Sequence, residues 1–308
     1  MTRPGADDTR FDPLAAAPLL AMHVAALAVL WTGVSGIALA VAGVLFAARA
    51  FGLTAGYHRY FAHRAYQTSR AGQLALALLG ASAAQMGPLW WAGHHRLHHR
   101  HSDRAGDPHS PVAGGVYWAH VGWLLCRRHA ATPIGEMRDF ARFPELVWLD
   151  RWHAIAPAAV ALGCWALGAV LGARGFATSG GQMLVVGFLV GTLALYHVTY
   201  AVNSLAHRFG SQRYDAGDGS RNNALLALVS LGDGWHNNHH RFPRAARHGF
   251  FFWELDPTWL ALRALAALGL VAELVPVPAE AYTERRRSAI ATSTATPQAA
   301  PNESPIRA

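Results

Sequence analysis

The sequence predicts an all-α membrane protein with four transmembrane helices and a cytoplasmic helical cap. Three observations carry this. The chain of 308 residues is 52% hydrophobic and only 14% charged, with a mean hydropathy of +0.16, too apolar for an ordinary soluble enzyme. Four stretches are long and apolar enough to span a bilayer, and the arginines fall almost entirely on one side of them.

The first apolar run covers residues 14–53 with one charge, Arg49. Forty helical residues rise about 60 Å, twice the thickness of the hydrocarbon layer, so this run must fold as a hairpin. Thr32, Gly33, Ser35 and Gly36 mark its turn and set spans at 14–31 and 36–56. A second pair follows at 154–172 and 181–202, joined by a short turn over 174–180. The first run is too long for a cleaved signal peptide and follows Asp7 and Asp8 rather than a purely basic region. Residues 1–13 form an N-terminal tail, 14–274 the folded domain, and 275–308, rich in Pro, Ser, Thr and Ala, a disordered tail.

The net charge of +8 comes from arginine, since the chain contains no lysine. Eleven arginines lie in 57–153, eleven after Val202 and two in the N-terminal tail, against Arg174 alone on the other side. The positive-inside rule therefore places both termini and the middle region in the cytoplasm, and accounts for the basic composition without nucleic acid. Arg49 is the charged exception within a span, and snorkelling, pairing with a headgroup or a misplaced span are its alternatives. Cys126 and Cys164 form no metal or redox motif and read as small buried residues.

The chemistry lies in eighteen histidines. HRYFAH supplies His58 and His63, HRLHH supplies His95, His98 and His99, and HNNHH supplies His236, His239 and His240. All lie on the predicted cytoplasmic side. On a helix, positions i, i+3 and i+4 share a face, so the second and third clusters are each expected to point three imidazoles at one place. Asn203 and His207 of NSLAH, four apart, point inward together on the same reasoning. His23, His120, His129, His153 and His197 read as isolated satisfied residues. Imidazole alone does not name the metal, but this many candidates exceed one four- or six-coordinate ion and favour two metals. Glu-x-x-His motifs of the carboxylate-bridged bundle are absent.

HRYFAH, HRLHHRHSD, NSLAHRFG and GDGWHNNHH, in this order between two pairs of spans, resemble the integral-membrane fatty acyl desaturases of the Δ9 type. The resemblance covers roughly residues 40–260 and includes the flanks GDPHSP at 106–111 and RHG at 247–249. It implies two iron ions held by His58, His63, His95, His98, His99, His207, His236, His239 and His240, with Asn203 reaching one through water. Asp233 stands where that family commonly has Glu, and His94 and His101 add imidazoles beside the second box. Metal-bound imidazoles usually donate their other nitrogen to a carboxylate or carbonyl, and Asp103, Asp107, Asp233 and Glu254 are the acidic residues nearest the boxes, with the pairs among them left open by the sequence.

The activity so implied is oxygen-dependent removal of two hydrogens from adjacent methylenes of a fatty acyl chain, carried as acyl-CoA or acyl-lipid. Oxygen reduction to two waters takes four electrons, two from the substrate. The other two need an external donor such as ferredoxin or a small heme protein with its reductase, because no dinucleotide fingerprint or heme domain is fused here. Arg59, Arg64 and Arg100 would suit a phosphate-bearing headgroup. Tryptophans near the boxes either line an apolar tunnel or anchor the protein in the interface. By the same likeness Ala42 and Phe46 close the tunnel end. A histidine-box hydroxylase and a non-catalytic membrane metal binder are the competing readings; spans poor in charge disfavour an ion path.

Overall fold

A computed structural model describes residues 9–284. Its four long apolar helices are α1 (Pro13–Thr32), α2 (Gly36–Ala62), α7 (Ile155–Ala173) and α8 (Gly180–Leu205), close to the four expected spans. Between and after them lie α3 (Arg70–Ala81), α4 (Pro88–His101), α5 (Gly115–His120), α6 (Pro144–Arg151), α9 (Ala224–Val229), α10 (His236–Arg241) and α11 (Pro257–Ala267). Among the described residues the only sheet is β1 (Gln67–Thr68) paired antiparallel with β2 (Val271–Ala272).

Capping chemistry fixes the hairpin. Asp12 accepts from the amides of Leu14 and Ala15 at the start of α1, with Pro13 at the first turn. Gly33 takes a left-handed φ of 67° after α1, and the Ser35 hydroxyl then accepts from Ala38 N to begin α2. The outer helices expose apolar side chains, with Leu30 76% and Trp31 80% exposed, which suits an apolar surround. Only 11% of the apolar window of α1 is buried against 61% of that of α8, so α8 is the central helix. Ala38, Cys164, Met183, Val186 and Phe188 knit α2, α7 and α8 together. Both cysteines are buried, and Cys126 Sγ donates to Trp123 O.

The second helix outlasts its predicted span. Beyond Phe51 it continues to Ala62 in π-helical register, and His63 N donates to His58 O, an i to i+5 bond. In ordinary α geometry residues five apart point in different directions; here the π register brings the rings of His58 and His63 to 5.1 Å. Helix α3 packs flat on this segment, close enough that a Cβ on Gly80 would sit 2.3 Å from the Tyr57 ring.

Two expectations change. Arg49 does not snorkel: it is 1% exposed, held inside the bundle. The segment after Val275 is packed as far as Glu284. Val275 N donates to Ala65 O at 2.8 Å, Ala281 is fully buried, and Tyr214 Oη donates to Ala281 O at 2.7 Å. Composition misread it because its order comes from backbone pairing with the segment after α2 and not from apolar periodicity. Residues 285–308 and 1–8, on which the rest of the two tail expectations fall, lie outside the described residues.

Candidate metal centre

The box helices meet at the end of the bundle where α2 and α8 emerge, and their histidines form two groups. His58, His63, His95, His99 and His239 bring one ring nitrogen each within 4.8 Å of one another; His98, His207, His236 and His240 do the same. The nine are the nine histidines singled out in the sequence. Their partition differs from the expectation that each box points at one place. His95 and His99 share the first group while His98 joins the second, and His236 and His240 share the second while His239 joins the first. The reason is angular: at 3.6 residues per turn, i and i+4 lie about 40° apart, whereas i+3 falls on the other side of i. Each box thus serves both groups, which abut, with the rings of His99 and His240 stacked at 4.3 Å.

Four carboxylates hold these rings from behind. Asp233 Oδ2 accepts from His58 Nδ1 at 2.8 Å, Asp107 Oδ1 from His98 Nδ1 at 2.9 Å, Asp103 Oδ2 from His207 Nδ1 at 2.9 Å, and Asp218 Oδ2 from His240 Nδ1 at 2.6 Å. An ionised carboxylate only accepts, so each Nδ1 carries a proton and each Nε2 is the ring nitrogen turned inward. Burial opposes ionisation of Asp103, yet His207, Ser110 and the Gly219 amide hold its pKa down to about 2. Asp233 and Asp107 are likewise held low against burial, by His58 and Arg59 and by His98 respectively. Burial, then neighbouring imidazoles, drives His63, His95, His99, His236, His239 and His240 well below the usual histidine range. Neutral imidazoles are the form that binds metal.

The fit to metal ions follows from what these atoms lack. His58 Nε2 lies 2.9 Å from His239 Nε2, His239 Nε2 2.9 Å from His99 Nε2, His63 Nε2 3.0 Å from His95 Nε2, and His207 Nε2 3.0 Å from His236 Nε2. Each of these contacts sets two ring nitrogens against each other, of which only one can carry the shared proton. Among the described residues the buried Nε2 atoms of His98 and His240 have no hydrogen-bond partner. Convergent lone pairs backed by carboxylates are the donor set of a nitrogen-ligated metal centre.

Asn203 is half-buried on α8 and lines two cavities. The smaller, about 30 Å³, lies between α2 and α8 beneath His58, His95 and His236, and is closed inward by Ala50, Leu53 and Leu195. The larger, about 400 Å³, is walled by Leu14, Leu19 and Met22 of α1 with Trp90, Trp91, Trp123 and Tyr196. Both share Trp91, His95, Thr199 and Asn203. Neither is lined by Ala42 or Phe46; Phe46 packs instead on the cluster of Ala50 and Leu53. Of the tryptophans, Trp148, Trp152 and Trp253 are half exposed and suit anchoring.

Other expectations are corrected here. Glu254 supports Asn238 and pairs with Arg213 rather than holding a box histidine. Arg59 is fully buried against Asp233 and Asp256, while Arg64 and Arg100 pair with Asp139 and Glu136, so none is a free phosphate site. His94 Nδ1 bonds Trp90 O and lines the larger cavity, outside both groups; burial lowers its pKa to about 4. Sequence reasoning missed Asp218, His109 and His248. The last two sit in the quoted flanks GDPHSP and RHG; His109 lies beside His98 and Asp107, and His248 Nδ1 is 3.3 Å from Asp233 Oδ1. For Asp218, Asp218→Asn is expected to weaken metal binding about 10–100-fold. Chelator competition checks this, and unchanged affinity would remove Asp218 from the support.

A bundle of helices long and apolar enough to cross a membrane, with buried histidine groups that could hold metal beside an apolar cavity, defines the class to which the chain is compared. The fatty acid desaturase family model matches residues 35–273. The chain is 38% identical over 255 residues to the sn-1 stearoyl-lipid 9-desaturase of Anabaena variabilis, covering 82% of this chain and 89% of that one. It is 35% identical to the sn-2 palmitoyl-lipid 9-desaturase of Nostoc sp. (strain 36), over 75% and 79% of the two chains. With the acyl-CoA 5-desaturase AL21 of Anemone leveillei the identity is 33%, over 76% and 70%. The chain belongs to the fatty acid desaturase family, and is an oxidoreductase.

Proposed function

We propose that the chain introduces a cis double bond at a Δ9-like position of a saturated acyl chain, using two iron ions held by the nine histidines. The observation that carries this is the pair of histidine groups whose unprotonated nitrogens converge at the junction of two apolar cavities. His58, His63, His95, His99 and His239 would hold one ion. His98, His207, His236 and His240 would hold the other, with Asn203 approaching through water. When bound, the irons supply the oxygen-dependent hydrogen-atom abstraction that no side-chain acid or base can perform on an unactivated methylene.

The chain's own residues provide the rest. Leu14, Leu19, Met22 and Tyr196 bury the acyl chain from water, and Trp91, Thr199 and Asn203 bracket the reacting carbons where the cavities meet. Asp103, Asp107, Asp218 and Asp233 fix ring tautomers and orientation. The proposed carrier is an acyl-lipid, following the names of the relatives at 38% and 35% identity; relatives named for acyl-CoA reach 33%. The arginine distribution supports a cytoplasmic centre and termini, where an external donor, ferredoxin or a small heme protein with its reductase, delivers two electrons. The test is expression in membranes of a host lacking its own desaturase, with fatty acids profiled by mass spectrometry. A new monounsaturated acid is expected; a hydroxylated acid would replace this reading by the oxygenase one, and neither product, with iron bound and a donor supplied, would end it.

A further inference from the structure

Among the described residues, one buried cation stands apart from the histidine groups and from every carboxylate. Arg49 lies in α2, 1% exposed, yet among the described residues no carboxylate meets it. Its Nε donates to Leu45 O at 3.0 Å and its Nη1 to Thr192 Oγ1 on α8 at 2.5 Å. The guanidinium lies over the Phe188 ring at 5.5 Å, and Nη2 is buried with no partner. Burying such a group in an apolar bundle is costly, and the cost is not offset by an ion pair.

Its place relative to the smaller cavity is what matters. That cavity, beneath His58, His95 and His236, is closed inward by Ala50 and Leu53 of α2 and Leu195 of α8. Arg49 directly precedes Ala50, and its tether Thr192 lies one helical turn before Leu195, so the side chain crosses from α2 to α8 just beyond the inner wall. A Cβ on Gly191 would stand 3.5 Å from Nη2 and 3.6 Å from the Cβ of Ala42, so the guanidinium and Ala42 both face Gly191 of α8.

We propose that Arg49 is the floor of the acyl channel and sets how much chain is accepted beyond the reacting carbons. This rests on the reading of an acyl chain threading the cavities. A leucine or methionine there would change rotamer to admit another methylene, but Arg49 cannot yield. Its solvation consists of one carbonyl, one hydroxyl and one aromatic face, all fixed on helices, and an apolar chain end pressing on it gives nothing in return. Ala42 and Phe46 line neither cavity and do not measure the chain. Removing Arg49 leaves Thr192 satisfied, since its hydroxyl already donates to Phe188 O at 2.6 Å.

The full chain, expressed in a desaturase-deficient host supplied with saturated acids of graded length, is profiled for products, with iron per chain measured on the purified protein. One methylene in an apolar site is worth about 10–200-fold in kcat/KM, so Arg49→Ala is expected to raise the share of product from chains about two carbons beyond the wild-type limit by about tenfold or more. Arg49→Leu, an apolar replacement suited to a membrane interior, is expected to move the limit the same way and decides the matter should Arg49→Ala not accumulate. Ala42→Leu and Phe46→Ala are expected to leave it unchanged. Arg49 variants that bind iron like wild type and keep the wild-type length profile overturn the proposal, as does a limit that moves with Ala42. Wild-type protein that makes no unsaturated product at all would instead sink the acyl-desaturation reading beneath it.

Discussion

His236→Ala is expected to abolish product and to lower bound iron from about two ions per chain to about one. His236 belongs to the group of four, so its loss leaves three imidazoles, His98, His207 and His240, to hold an ion. The group of five keeps four when His99 is removed. His99→Ala should therefore also stop turnover, because its ring faces both groups, but retain more metal than His236→Ala. Losing a direct ligand must exceed the about 10–100-fold weakening that follows loss of a supporting carboxylate. Iron per chain by elemental mass spectrometry, with Mössbauer spectra of both variants, checks the ordering. Wild-type iron and turnover in His236→Ala would remove that residue from the centre.

The parts of this molecule legible in the sequence were those governed by local period. The span lengths follow from uninterrupted apolar runs, and eight of the nine histidines from clusters too dense to be incidental, His207 being added by its spacing from Asn203 and by the family resemblance. What required coordinates depends on turns and long-range contacts. The partition of each box between two groups follows from helix phase together with the docking angle of α4 against α10, and the second is not written in either box. The five-residue separation of His58 and His63 is a legible oddity, but only the π register explains it. Asp218 lies twenty-two residues before His240 in a loop whose Gly, Asp and Ser composition says nothing of its target. Asp103 is held at φ 58°, a left-handed conformation an aspartate tolerates, and that turn is what aims its carboxylate at His207.

Arg49 shows the limit of likeness between sequences. Positions 42 and 46 were matched to tunnel-closing positions of the desaturase family, yet the cavity stops before reaching them. Arg49 instead reaches across from α2 to Thr192 of α8, one turn before the cavity's Leu195. Likeness places residues on a helix; it does not show which of them is reached first from the metal end.

Asp256→Ala is expected to destabilise the fold by about 3–5 kcal/mol, the cost of stranding a buried charge. Arg59 is fully buried, and Asp256 supplies two of its acceptors, at 3.1 and 3.2 Å, the others being Asp233 Oδ1, Thr54 O and Ala246 O. The same carboxylate accepts from Trp259 N as the cap of α11 and from His248 N at 2.7 Å. A cap alone is worth about 1 kcal/mol, so most of the loss must come from Arg59. Left with one carboxylate, Arg59 would compete harder for Asp233, which also orients His58, and the defect should reach the metal centre as weaker iron retention. Denaturant unfolding of the detergent-solubilised protein measures the loss, and the double variant Arg59→Met with Asp256→Ala separates the causes. If the pair is coupled as the geometry implies, the double variant costs less than the sum of the singles, because removing both charges leaves nothing stranded between them. Strict additivity would mean that Asp256 acts only as a cap and a loop tether, and that Arg59 is neutralised by Asp233 alone.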